Sequence, residues 1–187
     1  EFSRADRYRT PLSLIMADLD GFKAINDHHG HPAGDRLLAQ VAQRLRAQAR
    51  TTDIVGRYGG DEFAFLLPHT ALEEALSFAQ RLSRRIADAP SRLANGKPAA
   101  IALSCGVASL LECPGITTCN DLLRAADAAL YEAKHRGGGA VVVAAGPVPA
   151  AMGAADGARH LAPLSAADES TNHEMPRPRS PRGSGAA

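Results

Sequence analysis

The sequence predicts an α/β (α+β) chain with a single mixed central sheet of about five strands flanked by helices. Three observations carry that reading. Apolar runs of strand length, at 12–17, 63–67, 100–103 and 140–144, are separated by longer stretches whose apolar residues recur every three or four positions. Ile54-Val55 with Tyr58 on one side, and Phe63 to Leu67 on the other, flank Gly59-Gly60-Asp61-Glu62, which is the pattern of a β-hairpin. The resulting order is strand, two helices, hairpin, helix, strand, helix, strand. Such crossovers lay helices on one sheet and bring active groups to strand ends.

The bulk composition narrows the classes of function. A chain of 187 residues, 45% of them apolar, suits one domain with a tail and a real core. Its net charge of +1 calls for neither a nucleic acid nor a membrane surface as partner. No apolar run reaches the length of a membrane span, and no charged-then-apolar leader opens the chain. The three cysteines, Cys105, Cys113 and Cys119, are odd in number and lack C-x-x-C spacing. That speaks against a disulfide framework or a zinc site and suits a reducing cytoplasm.

Along the chain, the polar stretch 1–10 reads as the later part of a helix, as if the domain were entered partway. Leu12 to Ala17 reads as a buried central strand ending in Asp18-Leu19-Asp20. Phe22 to Asp27 reads as a short helix, and His28 to Gly34 as a loop bounded by glycine and proline. The three histidines of that loop lack the fixed spacing on rigid elements that an imidazole metal site needs. Asp35 is placed to cap a helix whose apolar face is Leu37, Leu38, Val41 and Leu45.

After the hairpin, Thr70-Ala71-Leu72-Glu73 has the form of a capping box. The helix it opens carries Ala75, Leu76, Ala79, Leu82 and Ile86 on one stripe and stops at Ala89-Pro90. Asn95-Gly96 marks a turn before the strand at Ala100 to Leu103, with Gly106-Val107 beyond it. Asn120 is placed to cap a third long helix bearing Leu122, Leu123, Ala126 and Leu130. Gly137-Gly138-Gly139 ends that helix, and Ala140 to Ala144 is a last strand. From Ala145 to Ala187 the composition turns to Ala, Gly, Pro and Ser without aromatics, too little apolar surface to offset ordering, so a disordered tail is expected.

Two places combine oxygen ligands with exposed backbone. Period-two geometry puts Asp18 and Asp20 on one side of a strand end, with the Leu19 carbonyl between them. That is a polar strand terminus, or the donor set a magnesium ion requires. Asp61 and Glu62 follow a turn with no side chains of its own, where a ligand can approach the backbone. Gly-Gly-Asp strings are mostly solvated acidic turns, so the context decides. The two acidic places meet only if their strands are neighbours.

The blocks P-L-S-L-I-M-A-D-L-D-G-F-K-A-I-N-D (11–27), G-H-P-A-G-D (30–35), R-Y-G-G-D-E-F (57–63) and A-D-A-A-L-Y-E-A-K (126–134) resemble, in order and spacing, the GGDEF domain of bacterial diguanylate cyclases. The resemblance covers about residues 7–143 and implies a nucleotidyl-cyclase, palm-like fold for residues 1–144. In that family two domains, each holding a GTP, face one another and form cyclic di-GMP with release of two pyrophosphates. The resemblance then implies that Asp18, the Leu19 carbonyl and Asp61 hold two Mg²⁺ ions, with Mn²⁺ as an alternative. Asp61 also helps to deprotonate the attacking hydroxyl, Glu62 supports the turn, and Lys134, Phe22 and Lys23 lie near the phosphates. Asn26 and Asp35 match the guanine-reading positions, and Gly59 and Gly60 let a phosphate lie against the backbone. Arg50 and Asp53, as R-x-x-D, with Arg81, match a site that binds the product and inhibits.

The resemblance further implies a homodimer when active and a cytoplasmic location, alone or as part of a larger sensor. Two departures stand out. The usual L-T-x-L-x-N-R opening is missing. Glycine at 138 replaces the arginine of the family's G-R-N, and Arg136 lies two residues early, on a helix that points it elsewhere. Losing that cation opens a second reading, a catalytically weak domain that senses GTP or cyclic di-GMP. Taken alone, Lys134 would be a solvated helix residue, Asp35 a cap, and Arg50 a cation at a helix end.

Overall fold

The computed structural model describes residues 1–88, 91–93, 96–145 and 162–163. The elements are α1 (Phe2–Tyr8), β1 (Leu12–Asp20), α2 (Phe22–His29), α3 (His31–Arg46), β2 (Ile54–Arg57), β3 (Glu62–Pro68) and α4 (Leu72–Asp88). They continue with β4 (Ser91–Arg92), β5 (Pro98–Ala99), β6 (Ala102–Ser109), α5 (Cys119–His135), β7 (Val141–Val143) and β8 (Ala162–Pro163). The main sheet runs β7-β6-β1-β3-β2-β8. Its pairs are antiparallel except β6 with β7, which is parallel, so the sheet is mixed as expected. It has one strand more than the sequence suggested, because Ala162–Pro163 pairs beside Gly56 and Arg57.

β1 is the central strand, buried at every position but Asp20. Side chains alternate across a strand, so β1 serves two cores. Ile15, Ala17 and Leu19 join Phe63, Phe65, Leu67, Leu103 and Val107 under α2, α3 and α4. Leu12, Leu14 and Met16 join Ala64, Ala108 and Leu110 under α5 and Ala5 of α1. The odd positions therefore face one helical layer and the even positions, Asp18 and Asp20 among them, face α5.

The residue that lets α5 lie so close is Gly106 of β6. A Cβ there would fall 2.1 Å from the Ala126 carbonyl oxygen and 2.2 Å from the Leu130 nitrogen, both backbone atoms. Only a residue without a side chain permits that approach.

Several local expectations shift. The 28–34 stretch is not a loop: His28 and His29 finish α2, and His31 begins α3 with Pro32 in its first turn, where a missing N–H costs nothing. Gly30 takes the cap position, so Asp35 is a helical residue rather than an N-cap. Thr70 does not hold the cap position of α4, because the helix begins at Leu72 and so places Ala71 there; the Thr70 hydroxyl donates to the Pro68 carbonyl at 3.0 Å. Glu74 instead accepts from the Ala71 N–H, one position later than the sequence suggested.

The α5 cap is Thr118, not Asn120. Thr118 and Asp121 form a reciprocal capping box. The strand placed at 100–103 is one strand from Ala102 to Ser109, and a two-residue hairpin, β4 with β5, precedes it. Gly59 and Gly60 are not among the positive-φ residues, so the turn is a four-residue link and not a tight two-residue one. The Ala89-Pro90 stop and Asn95 lie outside the described residues, as does the tail expected to be disordered apart from Ala145, Ala162 and Pro163.

Gly106→Ala is expected to push α5 off the sheet and destabilise the domain by about 1–3 kcal/mol, the usual range for overpacking. Urea unfolding monitored by circular dichroism would read this as a lower midpoint at unchanged slope.

Candidate active site

The antiparallel register of β1 with β3 sets Asp18 opposite Glu62. One step further the ladder gives way to a single bond, from the Leu19 N–H to the Asp61 carbonyl at 3.3 Å. In an antiparallel pair the N–H and C=O of one residue point to the same side. The Leu19 carbonyl therefore also faces the Gly59–Asp61 link. The strand end and the acidic turn do meet, because β1 and β3 are neighbours.

The turn is held from within. The Tyr58 N–H donates to the Glu62 carbonyl at 2.8 Å. The Arg57 guanidinium donates to the carbonyls of Gly59 (3.1 Å) and Gly60 (3.0 and 2.7 Å). Those bonds turn the two glycine carbonyls onto Arg57, and Gly60 has open space where a Cβ would stand. Sequence reasoning missed Arg57, although its place two residues before the Gly-Gly was the available signal.

Lys134 comes from the opposite layer. Ala126, Leu130 and Lys134 lie four residues apart and so share the face of α5 that packs on Gly106. One turn beyond Leu130 that face overhangs the end of β1, and the Lys134 ammonium meets Asp18 Oδ2 at 2.6 Å. The lysine side chain is 39% exposed while the Asp18 side chain is 6% exposed, so the carboxylate carries most of the desolvation. Burial pushes the Asp18 carboxyl up to about 6, and the charges of Asp61 and Glu62 add in the same direction against the opposing pull of Lys134. The site gathers more negative charge than one lysine offsets.

Asp20, the second acid of the strand end, is committed elsewhere. Its Oδ2 accepts from the Ser104 hydroxyl at 2.7 Å and from the Gly139 N–H at 2.8 Å. Three-way contact between β1, β6 and the glycine turn ties down the chain just behind α5. Gly138 has φ +80°, and a Cβ there would stand 3.1–3.3 Å from the Asp20 carboxylate. Glycine at this position thus has a local physical reason. Arg136 is not on the helix as expected but is the C-cap residue of α5, and its guanidinium donates to Glu132 at 2.5 Å.

The other expected residues fall into two groups. Phe22 is buried at the start of α2, Lys23 is exposed beside it, and Asn26 is half-buried against α3, one residue short of the exposed Asp35. Arg50, Asp53 and Arg81 come together on another face. The Arg50 N–H donates to Asp53 Oδ2 at 2.7 Å and the Asp53 N–H to the Arg50 carbonyl at 3.2 Å, which closes R-T-T-D into a tight turn. The three line a cavity of about 50 Å³ with Gln48, Leu67, Thr70, Glu74 and Phe78, and the Arg81 guanidinium lies 5.5 Å from the Phe78 ring centre.

The family model for the diguanylate cyclase GGDEF domain matches residues 1–140. This chain belongs to the GGDEF family. Diguanylate cyclase DosC of Escherichia coli is 41% identical over 137 residues, covering 73% of this chain and 29% of its own length. The response regulator PleD of Caulobacter vibrioides is 39% identical over 133 residues, covering 71% and 29%. The chain thus spans about three-tenths of the length of these relatives.

Among solved structures, the active GGEEF domain of a diguanylate cyclase from Vibrio cholerae superposes with a TM-score of 0.69 at 36% identity, covering 76% of this chain and 88% of that one. The GGDEF domain of DgcB from Caulobacter crescentus, in complex with c-di-GMP, gives 0.71 at 29% identity, covering 76% and 83%. The mixed sheet with flanking helices is therefore the GGDEF fold, and the acidic link between β2 and β3 is its signature turn. No helix among the described residues is long and apolar enough to cross a membrane.

Asp20→Ala would leave the Ser104 hydroxyl without its acceptor and the Gly139 N–H with only its longer bond to Ser104 Oγ, at 3.1 Å. The expected cost is about 1–3 kcal/mol of stability, with faster hydrogen exchange at the Gly139 amide and at the end of α5. Asp20→Asn, which keeps an acceptor oxygen, should recover most of it.

Proposed function

We propose that this GGDEF domain is a diguanylate cyclase, condensing two GTP into cyclic di-GMP with release of two pyrophosphates where two copies face each other. The observation that carries the reading is the convergence of Asp18, the Leu19 carbonyl, Asp61 and Lys134 from three elements onto one strand end. A single copy offers one guanine-reading face and one acidic turn, so joining two nucleotides calls for two copies. The relatives named diguanylate cyclases and the neighbour holding c-di-GMP support the same reaction.

Phosphoryl chemistry asks the protein for positioning and charge neutralisation more than for covalent help. Asp18, Asp61 and the Leu19 carbonyl are all oxygen donors, which suits Mg²⁺, or Mn²⁺ in its place. The excess negative charge that raises the Asp18 pKa fits the same assignment. Among the described residues no three His, Cys, Asp or Glu side chains gather into a complete metal cage. Bound there, the metal would spread the triphosphate's charge and lower the cost of the attacking oxyanion. Asp61 takes the proton of the 3′-hydroxyl, Lys134 holds the phosphate charge, and Glu62 braces the turn. The bare link at Gly59 and Gly60 leaves room for the α-phosphate, and Phe22 and Lys23 lie near the phosphates.

Guanine is read by Asn26 and by Asp35, whose carboxylate accepts from N1–H and the 2-amino group. The cavity of Arg50, Asp53 and Arg81 supports product feedback, since planar guanidinium groups pair with guanine edges and phosphates. A location in the cytoplasm, where GTP is held, follows from the same reading.

Purified protein with GTP and Mg²⁺ should give cyclic di-GMP, identified by mass, at a specific rate that rises with protein concentration. Binding of GTP or cyclic di-GMP without turnover at any concentration would instead make the domain a receptor. Asp61→Ala is expected to lower turnover at least about a hundredfold, the scale of lost acid–base assistance. An unchanged rate would remove the role given to this carboxylate. Arg50→Ala should shift the inhibition curve for added cyclic di-GMP to higher concentration while the initial rate stays the same.

A further inference from the structure

Gly34 lies inside α3, where glycine is normally unfavourable and alanine preferred. Its backbone does not have the positive φ that would require glycine. The reason lies in what faces it. A Cβ on Gly34 would stand 1.8 Å from Asn26 Oδ1, 2.9 Å from Asn26 Cγ and 3.2 Å from Phe22 Cζ. No rotation of a methyl group relieves a contact of 1.8 Å, so alanine at 34 would drive the Asn26 amide out of its place.

The same oxygen is buried with no hydrogen-bond partner among the described residues. A buried acceptor left in this state is unusual and calls for an explanation. A hydrogen of Gly34 occupies the direction the missing Cβ would take, toward Oδ1, which gives the oxygen a weak C–H contact in place of a full bond. Turning the amide over would press its NH₂ against that C–H, where nothing accepts. The oxygen therefore stays inward and the NH₂ is the outward end.

We infer that Gly34 is a specificity-determining position: by pinning the Asn26 oxygen inward it makes Asn26 a pure donor, matched to guanine and mismatched to adenine. This rests on the guanine-reading role proposed above for Asn26 and Asp35. Guanine shows acceptors at O6 and N7, whereas adenine shows an N6 amino donor where guanine has O6. An asparagine free to turn over could serve either base, and one held by Gly34 serves guanine. Asp35, the next residue on α3, supplies the acceptor for guanine's N1 and N2 hydrogens, so one turn of helix sets both polarities.

The test is nucleotide affinity, measured for GTP and ATP with Mg²⁺ by calorimetry, on the wild-type protein, Gly34→Ala, Asn26→Ala and the double variant. Gly34→Ala is expected to weaken GTP about tenfold or more and to leave the weaker ATP binding unchanged. In the Asn26→Ala background the same substitution should have no further effect, the sign that it acts through that side chain. Asn26→Asp keeps the shape beside Gly34 but replaces the donor with an acceptor, and should lose GTP preference without any change at the glycine. That variant keeps the idea testable if Gly34→Ala fails to fold.

Unchanged GTP affinity in folded Gly34→Ala, an equal loss in the Asn26→Ala background, or GTP preference retained by Asn26→Asp would each overturn the inference while leaving guanine recognition intact. A wild-type protein that does not prefer GTP to ATP would overturn the guanine-reading assignment itself, and this inference with it.

Discussion

The site depends on the register between β1 and β3. Because side chains alternate along a strand, a slip of one residue would carry every β1 side chain to the opposite layer. Asp18 would then leave the α5 side for the layer of Phe63 and Phe65, and Leu19 would lose its bond to the Asp61 carbonyl. The register is held by burial on both faces. Ile15, Ala17 and Leu19 on one side and Leu12, Leu14 and Met16 on the other are each matched to a helical layer. The position of two acids at the sheet's end is thus set by the packing of apolar side chains on both faces of β1.

A second constraint is charge. Asp18, Asp61 and Glu62 crowd a partly desolvated corner, and the Lys134 ammonium is the cation bonded to Asp18 there. Burial and like charge both disfavour the ionised acid, which is why the Asp18 carboxyl rises to about 6. A carboxylate held at such a disadvantage is one that gains from a cation, and this links the apolar packing to the proposed chemistry. Asp20 shows the contrast. It lies on the same side of the same strand, yet Ser104 and the Gly139 N–H occupy its Oδ2.

Close approach recurs as the means of assembly. At Gly106 the backbone of α5 rests on the sheet, and at Gly34 the Asn26 amide rests on α3. At Gly138 the chain passes the Asp20 carboxylate. Each contact fixes a different functional group: Lys134 through α5, Asn26 through α3, and the turn behind the lysine through Asp20. The separations along the chain run from eight residues, between Gly34 and Asn26, to 118, between Gly138 and Asp20.

The sequence by itself determined the parts that local rules govern. Period-two and helical patterning marked β1, the hairpin strands and the faces of α3, α4 and α5; strand-end and turn geometry singled out Asp18 and Asp61, whereas Lys134 and R-T-T-D were singled out only by the resemblance to the GGDEF family. It misplaced what depends on competition among neighbours. Thr118 rather than Asn120 caps α5, because Thr118 and Asp121 bond reciprocally there, and Asp35 is helical rather than a cap, because α3 already begins at His31 behind Gly30. The α5 face, with Gly106 beneath it, decided that Lys134 bonds Asp18 and is not simply solvated. The outcomes for Asp20 and Asn26 were likewise decided by residues 84 and 119 positions away in one case and by the facing helix in the other. Linear patterns encode which way a side chain points. Which group it meets there depends on strand order and helix docking, and those belong to the folded chain.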